Sequence, residues 1–131
     1  MTVQRVEKDG KVYVKVTDGE VATEQDGLAL VAACIEHGTN LAMLPTDCLS
    51  PQFLQLSTRI AGAVVQKLED YGIRAVAVLD VEHTSQRFQE FALESNHGAT
   101  FHVCKSMDEA ERWLVGESGY QDWCARQDLN L

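Results

Sequence analysis

The chain has 131 residues, of which 45% are hydrophobic and 24% are charged, a size and composition typical of one soluble globular domain. Its formal net charge of −9 disfavours binding to phosphate backbones and to anionic membrane surfaces, and no basic run offsets it. The N-terminal segment lacks the apolar stretch of a signal peptide, and no apolar run approaches the ~20 residues of a membrane span. We therefore expect a cytoplasmic protein that contacts neither nucleic acid nor membrane.

The chain opens with two short runs rich in β-branched residues, residues 3–7 and 11–17. The turn signal Lys8-Asp9-Gly10 separates them, which predicts an antiparallel hairpin. A helix follows, with Thr23 as its cap and Asp26 in the reciprocal position of a capping box. It ends near Gly38, and residues 41–44 then form a short apolar strand.

The longest helical signal covers residues 51–71, with Ser50 as its cap, Pro51 in the first position and Gly72 beyond its end. Its apolar residues recur at the spacing of one helix face, at Phe53, Leu56, Ile60, Val64, Leu68 and Tyr71. A straight helix of this length would measure about 30 Å, as wide as the domain. We therefore predict a break near residues 56–58.

The second half of the chain continues the alternation of strands and helices. Residues 73–79 are apolar except for Arg74, as in a central parallel strand. A helix over residues 85–94, a strand over 100–104 and a helix opened by Ser106 follow. The predicted fold is α/β: an N-terminal hairpin, then alternating helices and strands on a mixed, mostly parallel sheet of about five strands.

We assign residues 1–115 to one domain and residues 116–131 to a C-terminal tail. The tail carries the aromatic residues Tyr120 and Trp123. Since the core is complete before them, we predict that they are interface residues that contact a protein partner or a second subunit, as in a homodimer; alternatively, they pack on the domain itself.

The order of elements resembles the STAS domains of anti-sigma-factor antagonists. Residues 23–30, 53–62 and 94–98 are also similar to a bacterial family, the domain of unknown function four-one-eight-zero. The chain departs from that family's pattern at Gln55, at residues 57–59 and at residues 79–81. The STAS resemblance implies a regulatory module, and STAS switches accept a phosphate on a Ser or Thr near the start of the corresponding central helix.

The first candidate site lies at the carboxyl ends of the strands, where open parallel sheets collect ligands. Asp47, Asp80, Glu82 and His83 follow the third and fourth strands. Together they could hold a divalent metal or supply a general acid and base. In the alternative interpretation, Asp80 and His83 cap the next helix and Glu82 is solvated.

The second candidate site is the predicted helix break, where Ser57, Thr58 and Arg59 could bind or receive a phosphate. Alternatively, their hydroxyls satisfy the free backbone groups of the break.

The four cysteines form no Cys-x-x-Cys pair and are expected to be reduced and structural. Cys48 could be an activated thiol, although the neighbouring Asp47 opposes its ionisation. The histidines show no metal-binding spacing. We predict no catalytic residue, metal or cofactor, and interpret the chain as a non-catalytic regulatory or protein-interaction module. The alternative is a small enzyme, or a small-molecule or anion-binding protein, that uses the strand-end pocket.

Overall fold

The computed structural model describes residues 1–115 and confirms the predicted α/β architecture. Five strands form one sheet in the order β1-β2-β3-β4-β5. Their bounds are β1 Thr2–Lys8, β2 Lys11–Asp18, β3 Leu41–Leu44, β4 Arg74–Val78 and β5 Phe101–Cys104. The first pair is antiparallel and the other three pairs are parallel. The helices are α1 Glu24–Glu36, α2 Pro51–Leu54, α3 Ile60–Asp70, α4 Gln86–Ser95 and α5 Met107–Leu114.

The hairpin turn has the chemistry its sequence predicts. Asp9 and Gly10 both have positive φ, of 53° and 79°. Two successive positive φ values match the right-handed twist of the flanking strands, and Asp-Gly accepts them at low cost.

The predicted break in the central helix is confirmed. Ser50 caps α2 by accepting a hydrogen bond from the Phe53 N–H at 3.0 Å. A short 3₁₀ turn, Leu56–Thr58, separates α2 from α3, and Arg59 adopts a left-handed conformation with φ of 63°. Tyr71, predicted on the buried face, lies beyond the end of α3 and is 57% exposed.

The main core lies between one face of the sheet and helices α1, α3 and α4. Its centre is aromatic: the ring of Phe53 lies 6.4 Å from that of Phe88 and 6.3 Å from that of Phe101. Helices α1 and α3 approach closely at Gly27, where a Cβ atom would lie 3.4 Å from Val64 Cα. A Cβ atom at this position would therefore be in van der Waals contact with α3.

The opposite face of the sheet packs against α5. Ala110 and Leu114 of that helix are buried against Tyr13, Met43 and Val76. None of the helices within residues 1–115 has the length and hydropathy that a membrane span requires.

Candidate functional site

The loop between β3 and α2 closes over the carboxyl ends of the central strands. The Thr46 hydroxyl donates a hydrogen bond to the Val78 carbonyl and ties the loop to the end of β4. The Val21 N–H donates to the Cys48 carbonyl at 2.7 Å, and the buried Ser50 hydroxyl donates to the Val21 carbonyl at 2.8 Å. These hydrogen bonds hold the loop against the ends of the strands.

The strand order gives this edge of the sheet no central crevice of the doubly wound type. Strands β2 to β5 follow one another across the sheet without a reversal. Right-handed crossovers that advance in one direction place their helices on one face, which is where α1, α3 and α4 pack. Ligand crevices of doubly wound sheets form where the order reverses and the loops diverge. The sheet formed by residues 1–115 has no such point.

The four predicted pocket residues line three different hollows. Asp47 lies beside β2, near Lys15. Asp80 and Glu82 line a hollow beside α4, and His83 lines another beside α2. Asp80 Oδ1 accepts a hydrogen bond from the Glu82 N–H at 3.1 Å, and Asp80 Oδ2 lies 3.6 Å from His83 Nε2. Asp80 therefore caps its own turn, and residues 1–115 contain no cluster of His, Cys, Asp and Glu able to hold a metal ion.

The three residues of the helix break have different roles. The Thr58 hydroxyl lies 2.7 Å from the Gln52 carbonyl and 2.8 Å from the Gln55 carbonyl, so it satisfies the backbone of the break. Ser57 and Arg59 are exposed. Ser57 lines the hollow that also contains His83, so the structure brings together one residue from each predicted site.

The buried thiols are poor nucleophiles. Burial raises the pKa of Cys48 from 9.0 to about 12, and the carboxylate of Asp47 adds to this effect. Burial also raises the pKa of Cys34 to about 11. Both side chains are therefore protonated at neutral pH, and packing is the role that their positions support.

An open apolar hollow beside α4 was not predicted from the sequence. We call it the α4 hollow; it has a volume of about 500 Å³ and lies between α4, the loop after β4 and the end of β5. Its apolar lining residues are Leu79, Val81, Ala92, Leu93 and Val103. Leu93 is 65% exposed, although its neighbour Ala92 belongs to the core. The sequence feature that could have indicated this hollow is Leu93 itself, a large apolar residue next to the buried face of the helix.

Polar contacts hold α5 against the second face of the sheet. The Tyr13 hydroxyl donates a hydrogen bond to Glu111 at 2.8 Å, and burial is the main cause of the raised pKa of this tyrosine. The ring of Trp113 stacks on His102 at 4.0 Å, with the Arg74 guanidinium 4.5 Å from its centroid. Burial lowers the pKa of His102. These groups are paired with one another, which supports a structural role for this cluster.

Tyr120 and Trp123, the predicted interface aromatics, lie outside the described residues. Their predicted contacts therefore stay predictions.

The described residues thus define an α/β domain built on one sheet, with an open apolar hollow at the edge and no cluster of His, Cys, Asp and Glu within residues 1–115 that could hold a metal ion. The chain belongs to the family "Domain of unknown function (DUF4180)", whose model matches residues 8–114.

One solved structure similar to this chain is an uncharacterised protein of the DUF3478 family with a SpoIIAA-like fold from Shewanella loihica PV-4. The two chains are 14% identical, with a TM-score of 0.47 over 86% of this chain and 92% of the other. No curated protein matches the chain significantly.

Proposed function

We propose that this protein is a non-catalytic regulatory module that acts by binding a protein partner through the α4 hollow. The observation that carries the proposal is the exposed Leu93 beside an apolar floor that is open to solvent. Surface hollows of this kind, apolar inside and polar at the rim, are typical of protein-binding sites. Burying the exposed part of one leucine contributes about 1–2 kcal/mol to binding, so this side chain would be an anchor of the interface.

The arrangement of the polar residues supports binding over catalysis. General acid–base catalysis requires two groups within reach of one substrate. Asp80 and His83 lie 3.6 Å apart, but Asp80 also caps its own turn and the two residues line different hollows. Asp47 lines a third hollow, and the buried thiols are protonated at neutral pH.

The test is a comparison of Leu93→Asp with Ile35→Asp. Ile35 is a matched control because it is 67% exposed on α1, away from the α4 hollow. Each variant is used as bait with extract from the source cells, and each captured protein is purified and its binding measured by calorimetry. We expect a directly binding partner that the Leu93 variant loses and the Ile35 variant keeps. Partners that bind both variants equally, or no direct partner at all, would contradict the proposal.

A second candidate function, anion binding, is favoured by one observation. Ser57, His83, Ser85 and Arg87 line a single hollow of about 490 Å³ beside α2. Hydroxyls, an imidazole and a guanidinium are groups that bind phosphate. Titration with inorganic phosphate, followed by NMR, should shift the amide signals of these residues, and Arg87→Gln should weaken the response. Arg112→Gln, on α5, is the control, and shifts spread evenly over the surface would reject the site.

A further inference from the structure

We propose that the partner of the α4 hollow is a basic amphipathic segment that inserts apolar side chains, and not a strand that extends the sheet at β5. This inference rests on the proposed function and specifies the chemistry of the partner and its mode of binding.

The charges around the α4 hollow favour a basic partner. Asp80, Glu82 and Glu90 line it together with one cation, Lys105. Asp80 also lies 3.6 Å from His83, so the two glutamates are the carboxylates that a partner would meet. The whole chain also carries a net charge of −9, which attracts basic partners over a longer range. A segment with Lys or Arg beside its apolar residues would pair with these carboxylates at the rim.

The same charges disfavour a second copy of this chain as the occupant. Two copies meeting at this surface would bring Glu82 and Glu90 of each near the corresponding carboxylates of the other. Repulsion between like charges at an interface opposes association, and one lysine on each copy does not balance it. The α4 hollow therefore fits a heterologous partner better than self-association.

The edge of β5 decides the mode of binding. The Thr100 carbonyl accepts a hydrogen bond from the Ala75 N–H at 2.8 Å, and the Cys104 carbonyl accepts one from the Leu79 N–H at 2.9 Å. Because alternate residues of a strand face the same neighbour, Val103 directs its N–H and carbonyl away from β4. The Asn96 side chain occupies both groups: its oxygen accepts from the Val103 N–H at 2.8 Å, and its nitrogen donates to the Val103 carbonyl at 3.1 Å. The amide thus takes the place that a partner strand would need.

With the edge closed at Val103, the apolar floor is the part of this surface that a partner can use. Strand addition draws its affinity from main-chain hydrogen bonds, whereas a helix in a groove draws it from apolar anchors at helical spacing. Leu93 and the apolar residues below it provide the apolar contacts, and the carboxylates at the rim favour partners that carry Lys or Arg.

The test is a selection from a displayed library of random peptides of about 16 residues, long enough for about four helical turns. The whole chain is the bait. We expect selected peptides to be enriched in Lys and Arg together with apolar residues at helical spacing. Their binding should weaken about tenfold or more on Leu93→Asp and hold on Ile35→Asp. Combining Glu82→Lys with Glu90→Lys should shift the selection toward acidic peptides.

The remaining outcomes separate this inference from the proposed function. Peptides that depend on Leu93 but show no basic preference would overturn the inference and leave the proposed function standing. Peptides of alternating polarity that bind better to Asn96→Ala would show strand addition and overturn the mode of binding. A dimer in sedimentation that Leu93→Asp dissociates would assign the α4 hollow to a second copy and overturn the inference. No selected peptide, together with no cellular partner, would reject both.

Discussion

The amide of Asn96 provides the most specific test of the structure. Replacing it by alanine removes both hydrogen bonds to the Val103 backbone, at 2.8 Å and 3.1 Å, without placing new atoms in the core. A typical intramolecular hydrogen bond contributes about 0.5–1.5 kcal/mol to stability. Because the site is only partly buried, water can form hydrogen bonds with the freed Val103 groups. We therefore expect the free energy of unfolding to fall by about 1–2 kcal/mol.

The assay is amide hydrogen exchange followed by NMR, with urea unfolding to measure global stability. A loss of 1–2 kcal/mol corresponds to exchange at Val103 about 5–30 times faster. Asn40→Ala is the control, because Asn40 donates a single exposed hydrogen bond of 3.3 Å, to the Gly72 carbonyl. That variant should leave exchange at Val103 unchanged.

One further consequence is expected at high protein concentration. Freeing the N–H and carbonyl of Val103 exposes part of the β5 edge, and unpaired edges promote association between sheets. Asn96→Ala should therefore associate more readily than the native protein in light scattering. If the variant folds and its Val103 amide exchanges at the native rate, the inferred role of Asn96 is wrong.

Three other predictions concern the core, a thiol and a histidine. Phe53→Ala should lower the free energy of unfolding by about 3–5 kcal/mol, measured by urea denaturation, because this ring is fully buried between two others. At pH 8, Cys48 should react with iodoacetamide far more slowly in native than in unfolded protein, since a pKa raised from 9.0 to about 12 lowers the thiolate fraction about a thousandfold. His102→Gln should flatten the acid limb of the stability curve. The pKa of His102 is lowered in the folded state, so the unfolded chain binds a proton at this histidine first as the pH falls. The stability that the neutral histidine contributes is therefore present above pH 6.5 and is lost as the pH falls below that value.

Each of these predictions has a result that contradicts it. A loss below about 1 kcal/mol for Phe53→Ala would mean that the aromatic cluster is not the centre of the core. Mass spectrometry that finds Cys48 alkylated at equal rates in native and unfolded protein would refute its burial. If the free energy of unfolding of His102→Gln changes between pH 5 and 7 as steeply as that of the native protein, His102 does not contribute to the pH dependence of stability.

Local features of the sequence predicted the elements of the fold well. The Asp9-Gly10 turn, the capping box of Thr23 and Asp26, and the break after α2 all follow from interactions between residues close in the chain. Tyr71 was placed wrongly because the stripe was extended past the end of α3, where Gly72 turns the chain. Ile60, Val64 and Leu68 follow the break and still pack in or against the core, so the periodic pattern holds on both sides of the break and fails only where the helix ends.

The candidate sites were predicted less well because they depend on topology. The position of a polar residue after a parallel strand predicts which edge of the sheet it lies on. It does not predict whether the side chains at that edge contact one another. Thr46 and Ser50 were not foreseen as the residues that close this edge. Their partners, Val78 and Val21, are about 30 positions away in the chain, and no local pattern specifies such bonds.

What the sequence determines by itself is therefore the class of the fold, the order of its elements and their caps, all of which arise from local propensity and periodic burial. The tertiary structure decides the surface. It places all three crossovers on one face, divides the predicted pocket among separate hollows and directs the Asn96 amide onto the edge of β5. It also leaves Leu93 exposed above an apolar floor. The physical reason is that these features depend on which distant residues come together, and that is set by the direction in which the strands follow one another across the sheet.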